Sequence, residues 1–146
     1  MKKICLFFVF SLMYLFFSAC SGIAMEPLPY IISGQFEMEE NSVDYEVCGL
    51  NLFVYNKLEK EIKEMTVDFY LFDRYGEPAM ECQNRISLII EKEIGGNESA
   101  QLCIRLDNYM ISIPSELLEV DYLFLSKIVY EDGSEWNDPV GLAAFR

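Results

Sequence analysis

Apolar and polar residues follow two regimes along the chain. Ile4 to Phe17 is an almost unbroken apolar run, whereas from Tyr30 onward the pattern repeats every second residue, the spacing of half-buried strands. Tyr30 to Met38 reads as a first strand, closed by the turn Glu39-Glu40-Asn41-Ser42. Tyr45 to Tyr55 follows, with Cys48, Leu50, Leu52 and Val54 on one face and a mixed set, Gly49, Asn51, Phe53 and Tyr55, on the other. Lys57 to Lys63 is a charged connection. In Met65 to Phe72 the residues Met65, Val67, Phe69 and Leu71 point inward, and Thr66, Asp68 and Tyr70 outward.

Asp73-Arg74-Tyr75-Gly76 ends that strand, and Arg85 to Ile94 forms the next. Gly95-Gly96-Asn97 is expected to supply the positive backbone angles of a tight reversal into Ala100 to Leu106. In the longer connection from Asp107 to Glu119, Ser115-Glu116-Leu117-Leu118 after Pro114 is expected to make one helical turn. Tyr122 to Tyr130 is a strand apolar on both faces. Asp132-Gly133 suits a hairpin turn, Glu135 to Pro139 begins the return, and Leu142 to Phe145 closes the last strand. About seven strands at this spacing predict an all-β fold, an immunoglobulin-like antiparallel β-sandwich, preceded by an apolar helical segment.

That first segment has the layout of a signal peptide: Lys2 and Lys3, an apolar run of about 14 residues, then small residues. The run falls short of the roughly 20 residues that cross a bilayer core as a helix. Phe17-Ser18-Ala19-Cys20 resembles the bacterial lipoprotein lipobox, with Phe17 in the place usually held by Leu. The resemblance implies that Cys20 carries a thioether-linked diacylglycerol, becomes the mature first residue and is N-acylated, so that membrane lipid is its partner. Cleavage after Ala24, with Cys20 discarded, is the alternative. The expected organisation is a signal peptide over 1–19, a tether over 20–29 and one domain over 30–146, lipid-anchored in a bacterial cell envelope with the domain outside the cytoplasm.

Removing 19 of 146 residues leaves 127, enough for one domain with its own core. It also removes Lys2 and Lys3 from 11 basic residues while all 24 acidic ones stay, taking the formal charge from −13 to −15. Such a field disfavours nucleic acid and anionic membrane surfaces, and favours a basic protein partner or cations, or serves solubility alone. Cys48, Cys82 and Cys103 remain in the domain, an odd number in an oxidising compartment, and their spacing leaves any pairing open. That spacing matches no zinc or redox motif.

A second resemblance rests on Gly49, Asn56, Ile62, the run Phe69-Tyr70-Leu71-Phe72-Asp73, Gly76 and the Gly95-Gly96 turn. Together they are similar to the FxLYD-type domain over about residues 47 to 106, with Phe72 where Tyr is usual. It implies an immunoglobulin-like sandwich of exported bacterial proteins and no catalytic residues.

The chain has no histidine, so a Cys/His nucleophile pair is excluded; no Gly-rich phosphate loop and no Gly-x-Ser-x-Gly elbow occurs. Asp132, Ser134, Glu135 and Asp138 gather oxygen atoms near one hairpin, a calcium arrangement or plain turn chemistry. Trp136, Tyr122, Phe124 and Tyr130 form either an aromatic surface for carbohydrate or protein, or cross-strand core packing. No cofactor, metal or catalytic residue is assigned. The expected function is a non-catalytic binding or interaction module that engages an envelope protein. The alternatives are a structural or accessory envelope lipoprotein and a hydrolase using paired carboxylates.

Overall fold

The structure is a computed structural model, and it describes residues 27–38, 42–83 and 85–145. The apolar segment, the lipobox-like residues and Cys20 lie outside the described residues. Among the described residues there are seven strands: β1 (Tyr30–Glu37), β2 (Gly49–Asn56), β3 (Ile62–Phe72), β4 (Arg85–Ile94), β5 (Ser99–Arg105), β6 (Glu119–Tyr130) and β7 (Glu135–Asn137). They form two antiparallel sheets, one in the order β1-β2-β5 and one in the order β4-β3-β6-β7. Because β5 returns to β2 and β6 returns to β3, the chain crosses between sheets three times, which is the Greek-key connectivity of an immunoglobulin-like sandwich.

The period-two reading holds where it was clearest. Cys48, Leu50, Leu52 and Val54 are fully buried, as are Met65, Val67, Phe69 and Leu71, and these two sets face each other across the core. Strand β3 starts earlier than the pattern suggests, at Ile62. The charged residues after Asn56 hide that start, yet Ile62 is itself fully buried and pairs with both Ile94 and Tyr130.

Three local expectations are corrected. The only described helix is a 3-10 turn, Asp107–Tyr109; residues 115–118 form no helical turn, with a bend at 115–116. Leu142 to Phe145 is a turn packed on the outer face, not the end of a strand. In the Gly95-Gly96-Asn97 reversal the left-handed residue is Asn97 (φ 58°), and neither glycine has a positive φ. Gly96 is needed for another reason: a Cβ there would lie 2.3 Å from the carbonyl oxygen of Glu59, so a side chain would push apart the loops after β2 and β4.

One polar side chain ties each end of the sandwich together, Asn56 fully buried and Asp107 partly so. At the end where β1 begins, Asn56 donates through Nδ2 to the carbonyls of Lys60, Ile94 and Gly95, and its Oδ1 accepts from the Leu58 amide. At the far end Asp107 accepts from the amides of Glu46 (2.9 Å), Val47 (2.8 Å) and Cys48 (3.1 Å), with Arg105 3.5 Å away. Burial pushes the Asp107 carboxyl up, but those three amides and Arg105 together hold it below the usual carboxylate value.

Strand β6 does not keep a strict alternation. Besides an extra β3 residue between Ile62 and Glu64, its register against β3 slips twice on the β6 side, once between Thr66 and Val67, whose partners are Lys127 and Leu125, and once between Asp68 and Tyr70, whose partners are Phe124 and Asp121. Each slip inserts one extra residue, a β-bulge. At the first, the phenol of Tyr30 reaches across from the other sheet. It accepts from the Leu125 amide at 3.0 Å and lies 3.5 Å from the Leu125 carbonyl, to which it donates. Burial is the main reason that the Tyr30 phenol is pushed up to about 12; the Leu125 backbone contact lowers it and Asp138 raises it further.

Two stability experiments follow from these contacts. For Asp107 the folded pKa is depressed, so its contribution is present above the ordinary carboxylate value and lost as pH falls through the folded one. Asp107→Ala is expected to lose about 3 kcal/mol at pH 7 in urea denaturation, and its stability should fall less between pH 5 and 2 than that of the unaltered protein. For Tyr30 the folded pKa is raised, so stability is full below about 10 and is lost as pH rises through about 12. Tyr30→Phe should cost about 2 kcal/mol at neutral pH and lack this alkaline component.

Candidate functional site: an aromatic groove on the four-stranded sheet

The outward residues of β3 end in two aromatics, Tyr70 and Phe72, whose rings lie 6.5 Å apart and within 28° of parallel. Beside them runs the start of β6. Its second bulge places Tyr122 in the left-handed region (φ 49°), a conformation that a bulky aromatic rarely adopts. The consequence is that Tyr122 stands on the outer face, edge-on to Tyr70 at 5.8 Å and tilted over Phe72 at 6.2 Å, and remains half exposed.

The other wall comes from the last residues. Asp138 is buried and its carboxylate accepts from the amides of Leu142 (2.8 Å) and Ala143 (2.9 Å), which folds residues 138–145 back over the sheet. Gly141 makes the fold-back feasible: its φ is 70°, and a Cβ would meet the Phe145 ring at 2.8 Å and Phe124 at 3.3 Å. Phe145 therefore packs edge-on against both Tyr122 (5.4 Å) and Phe124 (5.6 Å).

Arg85, at the start of β4, closes one side. It donates through Nε (2.8 Å) and Nη2 (2.7 Å) to one oxygen of Asp68, and through Nη2 to the Pro139 carbonyl at 3.3 Å. Asp68 is almost wholly buried beneath it, and its second oxygen has no partner among the described residues. The pair thus links the floor to the C-terminal turn and neutralises the arginine where it borders the groove. Tyr70, Phe72, Pro78, Arg85, Tyr122, Phe124, Val140 and Phe145 enclose about 550 Å³, a volume in the range of ligand clefts lined by aromatic side chains with a few polar groups.

The four aromatics expected on one face of the last hairpin are divided by the first bulge of β6. Tyr122 and Phe124 lie on the outer face in the groove. Beyond the bulge the parity changes, so Tyr130 is buried opposite Ile62, and Trp136 packs edge-on against Tyr30 at 5.5 Å. For those two the core reading is correct. Tyr70, Phe72 and Phe145 complete the groove. The sequence signal for the first two is their outward parity on β3; Phe145 carries none.

The oxygen-bearing residues of the hairpin are spread over separate tasks. Asp132 pairs with Lys60 at 2.7 Å and accepts from the Ser134 amide, and Lys60 and Ser134 together hold its carboxyl well below the usual range. Glu135 pairs with Lys127 at 2.8 Å, and Asp138 holds the C-terminal turn. Among the described residues no group of three acidic or cysteine side chains is placed to hold a metal ion. Cys48 and Cys82 are buried, their thiols pushed up mainly by burial, Cys103 is exposed, and all three are free. A crevice of about 320 Å³ brings Asp73, Glu77, Glu81 and Glu116 together, but Asp73 caps its own turn through the Tyr75 and Glu77 amides and Glu116 pairs with Arg74 at 3.2 Å. No family model matches the chain, and no curated protein or solved structure matches it either.

Gly141→Ala tests whether the wall depends on that turn. It should release Phe145 from Phe124 and speed carboxypeptidase removal of the last residues several-fold, while the melting temperature drops by only about 4 °C, as expected for a loss near 1 kcal/mol.

Proposed function

We propose that the protein is a lipid-anchored lipoprotein of a bacterial cell envelope, a non-catalytic binding module whose FxLYD-like immunoglobulin domain stands outside the cytoplasm. Acylated Cys20 is the anchor, residues 20–29 are the tether, and the aromatic groove is the binding site. The observation that carries the reading is the groove itself, since aromatic rings left half exposed on a sheet face mark an interaction site more often than a packing accident.

The direction of the chain supports it. Tyr30, Asn56 and Ile62 share one end of the sandwich, and Phe72 ends β3 at the other, roughly 30 Å away for ten strand steps. A tether entering at Tyr30 therefore holds the groove away from the anchored end. The non-catalytic reading is supported by the absence of histidine from the sequence and by the structural work that Asp73, Glu116 and Asp138 already do.

Intact mass and membrane fractionation test the anchor. Mature protein is expected to begin at Cys20 with two or three acyl chains, and Cys20→Ser should leave unprocessed precursor or release soluble protein. An unmodified N-terminus at Met25, with Cys20→Ser behaving like the unaltered chain, would overturn the lipoprotein assignment.

A further inference from the structure

We infer that the aromatic groove binds a neutral oligosaccharide, an inference that rests on the binding-module reading and names its ligand. The rings determine the shape of what fits. Tyr70 and Phe72 lie close to parallel along the floor, at a separation comparable to one pyranose repeat, with Tyr122 as a raised side. Aromatic rings lining an open groove accept the C–H faces of pyranose units, and the phenols of Tyr70 and Tyr122 and the guanidinium of Arg85 belong to the same groove, where they can meet hydroxyl groups.

Charge selects among sugars. The chain carries −13 overall, so its field repels anionic glycans. Among the described residues Arg85 is the one cation lining the groove, and it is already paired: it commits Nε and Nη2 to Asp68, leaving Nη1 without a hydrogen-bond partner. It is thus a fixed N–H donor with its charge balanced, suited to a neutral hydroxyl and poorly suited to a carboxylate. A purely apolar ligand fits less well, since it would cover Arg85 Nη1 without giving that N–H group an acceptor. The left-handed backbone of Tyr122 agrees with this use, because the bulge that strains it is what raises the ring beside the floor.

The test is a titration of the detergent-solubilised full chain with cellotetraose, chitotetraose and maltotetraose, followed by saturation-transfer NMR and calorimetry. A tetragalacturonate and an apolar, proline-containing peptide serve as the contrasting probes. At least one neutral tetrasaccharide should bind, with transfer from aromatic protons to sugar C–H protons. Tyr122→Asn, whose side chain tolerates the left-handed backbone, and Phe145→Ala should each weaken it about tenfold. Tyr75→Ala, an exposed ring off the groove, should leave it unchanged. If none of the three neutral sugars binds, or if binding survives both groove variants, the inference is overturned. Peptide binding lost in Tyr122→Asn would then keep the module reading and change the ligand, whereas no binding of any probe would count against both.

Discussion

The extra residue in β6 near Ser126 is the constraint on which the rest depends. Strand β6 lies between β3 and β7 and must bury Leu125 and Ile128 while presenting Phe124 on the opposite face. A strict alternation cannot do this, because residues three apart fall on opposite faces of a regular strand. One inserted residue changes the parity and leaves a buried backbone amide in need of a partner. The Tyr30 phenol, extended from the other sheet, supplies it, so the bulge and the packing of β1 against β6 are one interaction. Gly34 of β1 assists, since a Cβ there would approach Leu123 to 2.9 Å.

Around that junction the two ends are closed by polar side chains rather than by long hydrophobic loops. Asn56 and Asp107 each satisfy several backbone groups that the strand ends leave unpaired, and each is held by partners distant in sequence. The strands between them are consequently fixed in register, and the floor of the groove inherits that rigidity through β3 and β6. The C-terminal wall is different. It is held by two backbone-amide hydrogen bonds to Asp138, the Arg85 contact with Pro139 and the ring of Phe145. A rigid floor with one lightly held wall lets a ligand be gripped without reordering the core.

The parts legible in the sequence are those governed by local periodicity. Leu50, Leu52 and Val54, and Met65 through Leu71, alternate cleanly because each lies on a strand with one buried face, and the Asp73–Gly76 and Asp132-Gly133 turns carry their own chemistry in Asp73 and in the left-handed Gly76 and Gly133. Phe69 and Leu71 are core, Asp73 caps the turn, and Asn56 ties the loops. Bulges were not legible, because they are specified by what a strand must touch in three dimensions. Hence Trp136 and Tyr130 read as partners of Tyr122 although they belong to another face. Phe145 was likewise read into a strand, since nothing local distinguishes it from one; its place is set by Asp138 and Gly141 acting together.

The domain is strongly acidic, yet five aromatic rings meet on one outer face, and two of them are half exposed. Charge and groove do not conflict, because they act at different ranges. The net field governs which molecules approach, and it is screened beyond about 10 Å in physiological salt. Inside the groove, contact terms decide, and there the described lining residues carry one charge, Arg85, balanced by Asp68. The pair also explains why a carboxylate lies beneath an aromatic floor at all. Replacing Arg85 by a neutral residue would leave Asp68 buried and unpaired, a heavier penalty than losing an exposed ion pair, so the polar edge of the groove and the stability of the sheet are set by the same contact.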